Sequence, residues 1–366
     1  MKAGSSVRRW KGALLALSLS ALLSATPTPA APAAEPEPAV EHITILPTTV
    51  VVSGMQPGPG LWRVSKDGHA MWVLGTLLPL PKRMEWNSQE VEQRIAESSA
   101  LLRGPNLSFD VKGGMFRTLF LLPSLFKTRN NPDKQKLADV LPPELYQRWL
   151  QLKQRYIGRS RSVEKRRPLV AAQQLLEKAV RKNDMTLDNF VSERVSKLAK
   201  KAKLETVQPN IKIFFDDPKQ ALKEFNTTDL EDVECFARML DRVDGEIEQM
   251  KLRANAWAVG EVEILRQLTI TNTFRPCANA VLESKVAERY GLGDIEQRLR
   301  EVWLEKAEET ISQHERSFAL LPISLVAGED SYLAELTARG YRVEAPNELE
   351  TPTDVELEAG AQAAAN

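Results

Sequence analysis

Apolar residues form short runs at the two ends of the chain's interior and recur at helical spacing through its middle. Leu61-Trp62-Arg63-Val64 and Met71-Trp72-Val73-Leu74 are separated by Ser65-Lys66-Asp67-Gly68-His69. An Asp-Gly between such runs predicts a hairpin, because the tight turn needs residues that tolerate positive φ. The second strand runs into Gly75-Thr76 and then Leu77-Leu78-Pro79. Ser88, ahead of Val91 and Ile95, predicts a helix with Ser88 as its N-cap. Ala100-Leu101-Leu102, closed by Gly104-Pro105, predicts another strand.

The middle is helical in pattern. Pro142-Pro143-Glu144 opens a helix carrying Leu145, Trp149, Leu152 and Tyr156 near a 3.6 period. Pro168 opens a second through Leu175, Leu176 and Ala179, and residues 188–203 predict a third. Val207-Gln208 and Ile211 to Ile213 are candidates for a buried strand. Asp229 starts a long helical stretch through Phe236, Met239, Val243 and Met250, and a further helix carries Trp257, Ile264, Leu265 and Leu268. Residues 292–314 predict another long helix. Phe318-Ala319-Leu320-Leu321 predicts a strand, residues 332–339 a helix stopped by Gly340, and Tyr341-Arg342-Val343-Glu344 a last strand. Strands at both ends must meet in space to share a sheet. The fold class is therefore mixed α/β (α+β), a small central sheet from N- and C-terminal segments with a large helical insertion.

The flanks read differently. Lys2, Arg8, Arg9 and Lys11 precede an apolar run, residues 13–25, followed by small residues. This predicts a Sec-type signal peptide over 1–30, a Pro/Ala-rich linker over 31–59 and a folded domain over 60–347. Residues 348–366, acidic and Ala-rich without an aromatic, predict a disordered tail. The expected location is periplasmic or secreted, with no transmembrane span once the signal is removed. The apolar stretch 113–126 is too short to span a bilayer and predicts a helix buried against the core.

Charge removes some function classes. Basic and acidic residues number 49 each, so net charge gives no reason to expect nucleic acid. Two cysteines, Cys235 and Cys277, admit one disulfide in an oxidising compartment or two free thiols. The three histidines are His42 in the linker, His69 in a turn and His314 at a helix end, where it would complement the dipole. No nucleophile elbow and no phosphate-cradling glycine loop occurs.

Several segments together resemble the TraB/GumN family, related to the Tiki proteases. They are the hairpin with Gly75-Thr76, Leu137-Ala138-Asp139-Val140-Leu141-Pro142, Arg167-Pro168, Ala256-Trp257-Ala258-Val259-Gly260-Glu261, and Leu325-Val326-Ala327-Gly328-Glu329-Asp330 followed by Gly340-Tyr341-Arg342-Val343. The resemblance implies a Gly-Thr-x-His motif at the end of the first strand and a Gly-x-x-His before the last helix. Here these read Gly75-Thr76-Leu77-Leu78 and Pro322-Ile323-Ser324-Leu325, with leucine at both histidine positions. The expected acidic residue falls near Gly104, and the expected Arg-Asn pair falls on Leu299-Arg300, with Trp303 retained. An isobutyl group can neither bind a divalent ion nor move a proton.

The positions to inspect are therefore Gly75, Thr76, Leu78, Leu325 and Gly328, with no metal and no cofactor expected there. If Leu78 and Leu325 touch, they fill the cleft with apolar contacts. Trp257, Gly260 and Glu261 form a second group, read as an indole packed in the core and a carboxylate holding nearby backbone. The function this favours is a non-catalytic binding or assembly protein of the cell envelope, with a protein or polysaccharide-related partner. The alternative is a metal-dependent or carboxylate-based hydrolase or peptidase of the Tiki/TraB type. Dry packing around residues 78 and 325 separates the first from the second.

Overall fold

The computed structural model describes residues 55–111, 129–227, 232–268, 285–328 and 330–349. The signal segment, most of the linker, the apolar stretch 113–126, Cys277, Glu329 and nearly all of the acidic tail lie outside the described residues.

Asp67 (φ 51°) and Gly68 (φ 84°) make the predicted turn, two consecutive positive-φ residues of the kind that matches strand twist. It joins β1 (Leu61–Lys66) to β2 (His69–Thr76), with Leu61 opposite Leu74. Four further strands complete the main sheet: β3 (Ala100–Arg103), β4 (Glu205–Val207), β5 (Arg316–Pro322) and β6 (Arg342–Glu344). Their order is β6-β1-β2-β5-β3-β4. β6, β1 and β2 are antiparallel neighbours, whereas β2, β5, β3 and β4 run parallel. β2 and β5 lie at the centre and are covered on both faces. This is why Ala70 to Gly75 reads as a continuous apolar run rather than an alternating one.

The sheet is thus the expected union of N- and C-terminal segments, with one strand from the middle of the chain added at an edge. Residues 207–213, expected to hold one strand, hold parts of two. β4 closes the main sheet, and Asn210–Phe215 pairs in parallel with Asn106–Val111 as a separate ribbon.

The helices that position the site are α1 (Gln89–Glu97), α2 (Pro143–Tyr156), α3 (Pro168–Lys182), α4 (Phe190–Ala202), α5 (Asp232–Gly245), α6 (Ile247–Val259), α7 (Val262–Gln267), α8 (Ile295–Gln313), α9 (Ile323–Val326) and α10 (Tyr332–Ala338). Two predicted boundaries are corrected. The long stretch expected through Met250 breaks at Glu246 between α5 and α6. The helix expected to carry both Trp257 and Ile264 is two helices, because Gly260 (φ 77°) ends α6 in the left-handed region.

Ser88 does not cap α1 through its side chain. Its hydroxyl donates to Glu92 Oε1 at 2.6 Å and accepts from Arg194 Nη2 at 2.8 Å. The Arg194 guanidinium also bonds Glu92, so this trio ties α1 to α4. Residues 55–59, expected as the end of the linker, are packed: Met55–Gln56 pairs with Glu85–Trp86, and the Gly58 amide donates to Ala258 O at 3.0 Å. Trp149, Trp257 and Trp303 are all sealed in one core that spans both faces of the sheet.

Candidate functional site

In an open α/β sheet, ligands collect beyond the carboxyl ends of parallel strands. Here that edge is where β2 and β5 finish side by side, with Leu321 opposite Gly75 and Pro322 opposite Thr76. The Thr76 hydroxyl donates to Leu321 O at 3.2 Å, which fastens the two ends together. The chain after β5 turns at once into α9 and lays Ile323 over Gly75. A Cβ on Gly75 would come within 2.3 Å of Ile323 Cδ1, so any side chain at position 75 must push that methyl aside.

Trp257 closes the same place from the helical side. It is 1 % exposed, and its indole N–H donates to Gly75 O at 2.7 Å. Trp86 meets it edge-on, with centroids 6.1 Å apart. Gly260, three residues on, lets the chain leave α6 against the backbone of Gly58 and Gly60. What space is left is a cavity of about 10 Å³ whose walls include Trp62, Gly75, Trp257, Val262, Leu265 and Ile323. A void of that size holds at most about one water, and a water needs two or more polar partners. The neighbouring strand end is tied in a similar way: the Trp303 indole donates to Arg103 O at 3.1 Å, at the end of β3.

The residues singled out from sequence separate into two groups. Gly75, Thr76, Trp257 and Gly260 converge on this edge. Leu78 does not fill it as expected: it is 39 % exposed. The chain passes through a cis Leu78–Pro79 bond, and it is Leu77 and Leu80 on either side that are buried. Leu325 is half-buried on α9, packed against the core, and Gly328 (φ 133°) is exposed with open space where a Cβ would point. Ile323 and Trp86 went unnoticed in the sequence, although Pro322-Ile323 stands where the second family motif falls.

Glu261 is also corrected. It is exposed and its side chain makes no cap bond at the start of α7, so its carboxylate does not hold the backbone. His314 accepts or donates at Nδ1 with Ser99 Oγ at 2.8 Å, while His69 Nδ1 lies 2.8 Å from Ile311 O at the end of α8. Cys235, buried on α5, is disulfide-bonded.

The chemistry of the donor set is simple. The side chains lining the closed edge are apolar apart from the indoles of Trp62 and Trp257, and the Trp257 N–H is already bonded to Gly75 O. Among the described residues, no three His, Cys, Asp or Glu side chains come together as an ion-binding group. Such an edge does not fit a divalent cation, which needs oxygen, nitrogen or thiolate ligands. The resolved pKa shifts fall elsewhere. Hydrogen bonds from Ser88 and Arg194 hold Glu92 below the usual carboxylate range, and desolvation, reinforced by Glu164, raises Tyr146. Among the described residues no helix is long and apolar enough to cross a membrane.

A family model described as TraB/PrgY/gumN matches residues 60–345. No curated protein and no solved structure matches the chain.

Proposed function

The chain belongs to the TraB/PrgY/gumN family, and from that premise we propose that it is an exported cell-envelope protein that uses the family scaffold without catalysis, as a binding or assembly protein. The observation that carries this reading is the bond from Trp257 to Gly75 O beside a small apolar pocket. A hydrolase working at this strand end would need room for a substrate carbonyl and polar groups aimed at it. Instead the carbonyl of Gly75 is occupied by an indole and the remaining volume is apolar.

Export rests on the basic N-terminus, the apolar run 13–25 and the small residues after it. We place the signal at 1–30, a tether after it that ends before Met55, and the acidic tail after residue 347. The bridge of Cys235 would join it to Cys277, the chain's other cysteine, which non-reducing peptide mapping of the purified protein decides.

The test of the main reading uses the mature protein and a Leu78→His, Leu325→His double variant, each analysed for bound divalent metal and for peptide hydrolysis. The expected result is no stoichiometric metal and no hydrolysis in the wild type. About one tightly held divalent ion per wild-type chain, with hydrolysis lost on chelation, would replace this reading with the metal-dependent peptidase. Metal gained only by the double variant would mean that the scaffold keeps the shape of a metal site but lacks its ligands.

A further inference from the structure

Between Lys153 and Arg167 the chain carries seven basic residues and one acid, in a protein with 49 of each overall. The stretch covers the last turn of α2, the loop after it and the residue before α3. Gly158 (φ 80°) ends α2, with its amide donating to Lys153 O at 2.7 Å, and leads the chain into Arg159-Ser160-Arg161-Ser162. The loop is then pinned to the core. Val163 is buried, and Glu164, the one acid, is used internally. Lys153 Nζ lies 2.7 Å from Glu164 Oε1, with both side chains 13 % exposed, and the Trp149 indole donates to the same oxygen at 3.2 Å.

With its acid spent in this way, the loop presents positive charge outward. Arg155, Arg159, Arg161 and Lys165 are exposed, and among the described residues none of the four forms an ion pair. Neighbouring segments extend the surface. The Arg167 amide donates to Arg129 O and the Asn131 amide to Lys165 O, both at 3.0 Å, so Arg129 lies alongside with Lys134 following. Lys182 Nζ donates to Arg155 O at 2.6 Å, which brings the end of α3, with Arg181, beside the end of α2. The acids of these segments are few: Asp139 accepts from the Lys136 amide at 2.8 Å, Asp184 lies 3.9 Å from Lys82, and Asp133 is exposed.

Like charges gathered this closely repel one another until counter-charge arrives. Guanidinium forks match phosphate oxygens in paired hydrogen bonds. The outward groups are long cationic side chains and the hydroxyls of Ser160 and Ser162, without an exposed aromatic among them, which suits an array of charges better than one small ligand. A patch drawn from three chain segments also matches a two-dimensional array better than a single strand of charge. We propose that this basic surface docks the protein peripherally on an anionic phospholipid bilayer. None of these residues lines the strand edge around Gly75, so the inference stands whether or not that edge is catalytic.

The experiment sediments the purified mature protein with vesicles of phosphatidylcholine alone, or of equal parts phosphatidylcholine and phosphatidylglycerol. Binding is expected to the mixed vesicles only, and to be lost as sodium chloride rises to about 0.5 M. Each basic residue near such a surface strengthens binding by about fivefold, so a triple variant, Arg155→Gln, Arg159→Gln and Arg161→Gln, should bind on the order of a hundredfold more weakly. A control triple, Lys197→Gln, Lys200→Gln and Lys201→Gln, removes the same charge from exposed positions on α4 and should bind nearly as well as the wild type. Thermal unfolding checks that both triples fold; should the arginine triple fail, Arg159→Gln alone should still lose about fivefold. The proposal is overturned by no binding to the mixed vesicles, by equal binding to phosphatidylcholine alone, or by equal losses in the two triples. Retention by dextran sulfate without binding to the mixed vesicles would assign the surface to a soluble polyanion and overturns it likewise.

Discussion

Replacing Trp257 by phenylalanine distinguishes a sealed edge from an open cleft. The change keeps an aromatic ring but deletes the N–H that donates to Gly75 O at 2.7 Å. Trp257 is 1 % exposed, so the carbonyl loses a buried partner at a cost of about 1–3 kcal/mol. The smaller ring also leaves a void of roughly 40 Å³, which adds about 1 kcal/mol at ~24 cal/mol per Å³. The sum is on the order of 2–4 kcal/mol. In urea, with a slope of about 3 kcal/mol per molar for a domain of this size, the midpoint should fall by about 1 M with the slope unchanged. Far-ultraviolet circular dichroism is the appropriate probe, because the substitution removes a fluorophore. A midpoint shift below about 0.2 M would refute the reasoning, since that is the outcome for an indole facing water in an accessible cleft.

Further consequences follow from the same geometry. Gly75→Ala places a Cβ against Ile323 Cδ1 and should cost about 1–3 kcal/mol. Ile323→Val, which removes that methyl, should cost clearly less in the Gly75→Ala background than in the wild type, as a double-mutant cycle by urea unfolding would read. Leu78→Ser should change stability by less than about 0.5 kcal/mol, because Leu78 is substantially exposed; a loss near 2 kcal/mol would mean that it fills the cleft after all. Glu92 is held below its ordinary pKa by Ser88 and Arg194. Its stabilising contribution is therefore present above the unfolded pKa, about 4.3, and is lost as pH falls through the lower folded value. Glu92→Gln should flatten that acid limb in a stability–pH series while leaving the neutral-to-alkaline slope unchanged; an acid limb identical to wild type would count against the assignment.

The hairpin, the central strands and most helices are legible from residue pattern because local physics decides them. Asp67-Gly68 needs positive φ, prolines open α2 and α3, and β2 is apolar from Ala70 to Gly75 because it is central. Contacts between distant segments are not legible in this way. The bond from Trp257 to Gly75 joins residues 182 positions apart, and only the family resemblance brought both under notice. Leu78 misled because its identity says apolar without saying which way the side chain faces, and it is Leu77 and Leu80 that turn inward. Glu261 misled for a related reason: a residue type at a motif position was given a role that its exposure removes. Arg253, buried on α6, was overlooked because an arginine on a helix reads as a solvated face. The available signal was its spacing, four residues before Trp257 and three after Met250, which puts it on a buried stripe.

The most direct test of the central claim is the divalent metal content of the purified mature wild-type protein, measured by elemental analysis after exposure to zinc, manganese and calcium and removal of loose ions. A closed apolar strand edge predicts well below ~0.1 ion per chain at a buried site, since its side chains offer no ligands. About one ion per chain, retained through buffer exchange and lost together with peptide hydrolysis on chelation, would contradict the account.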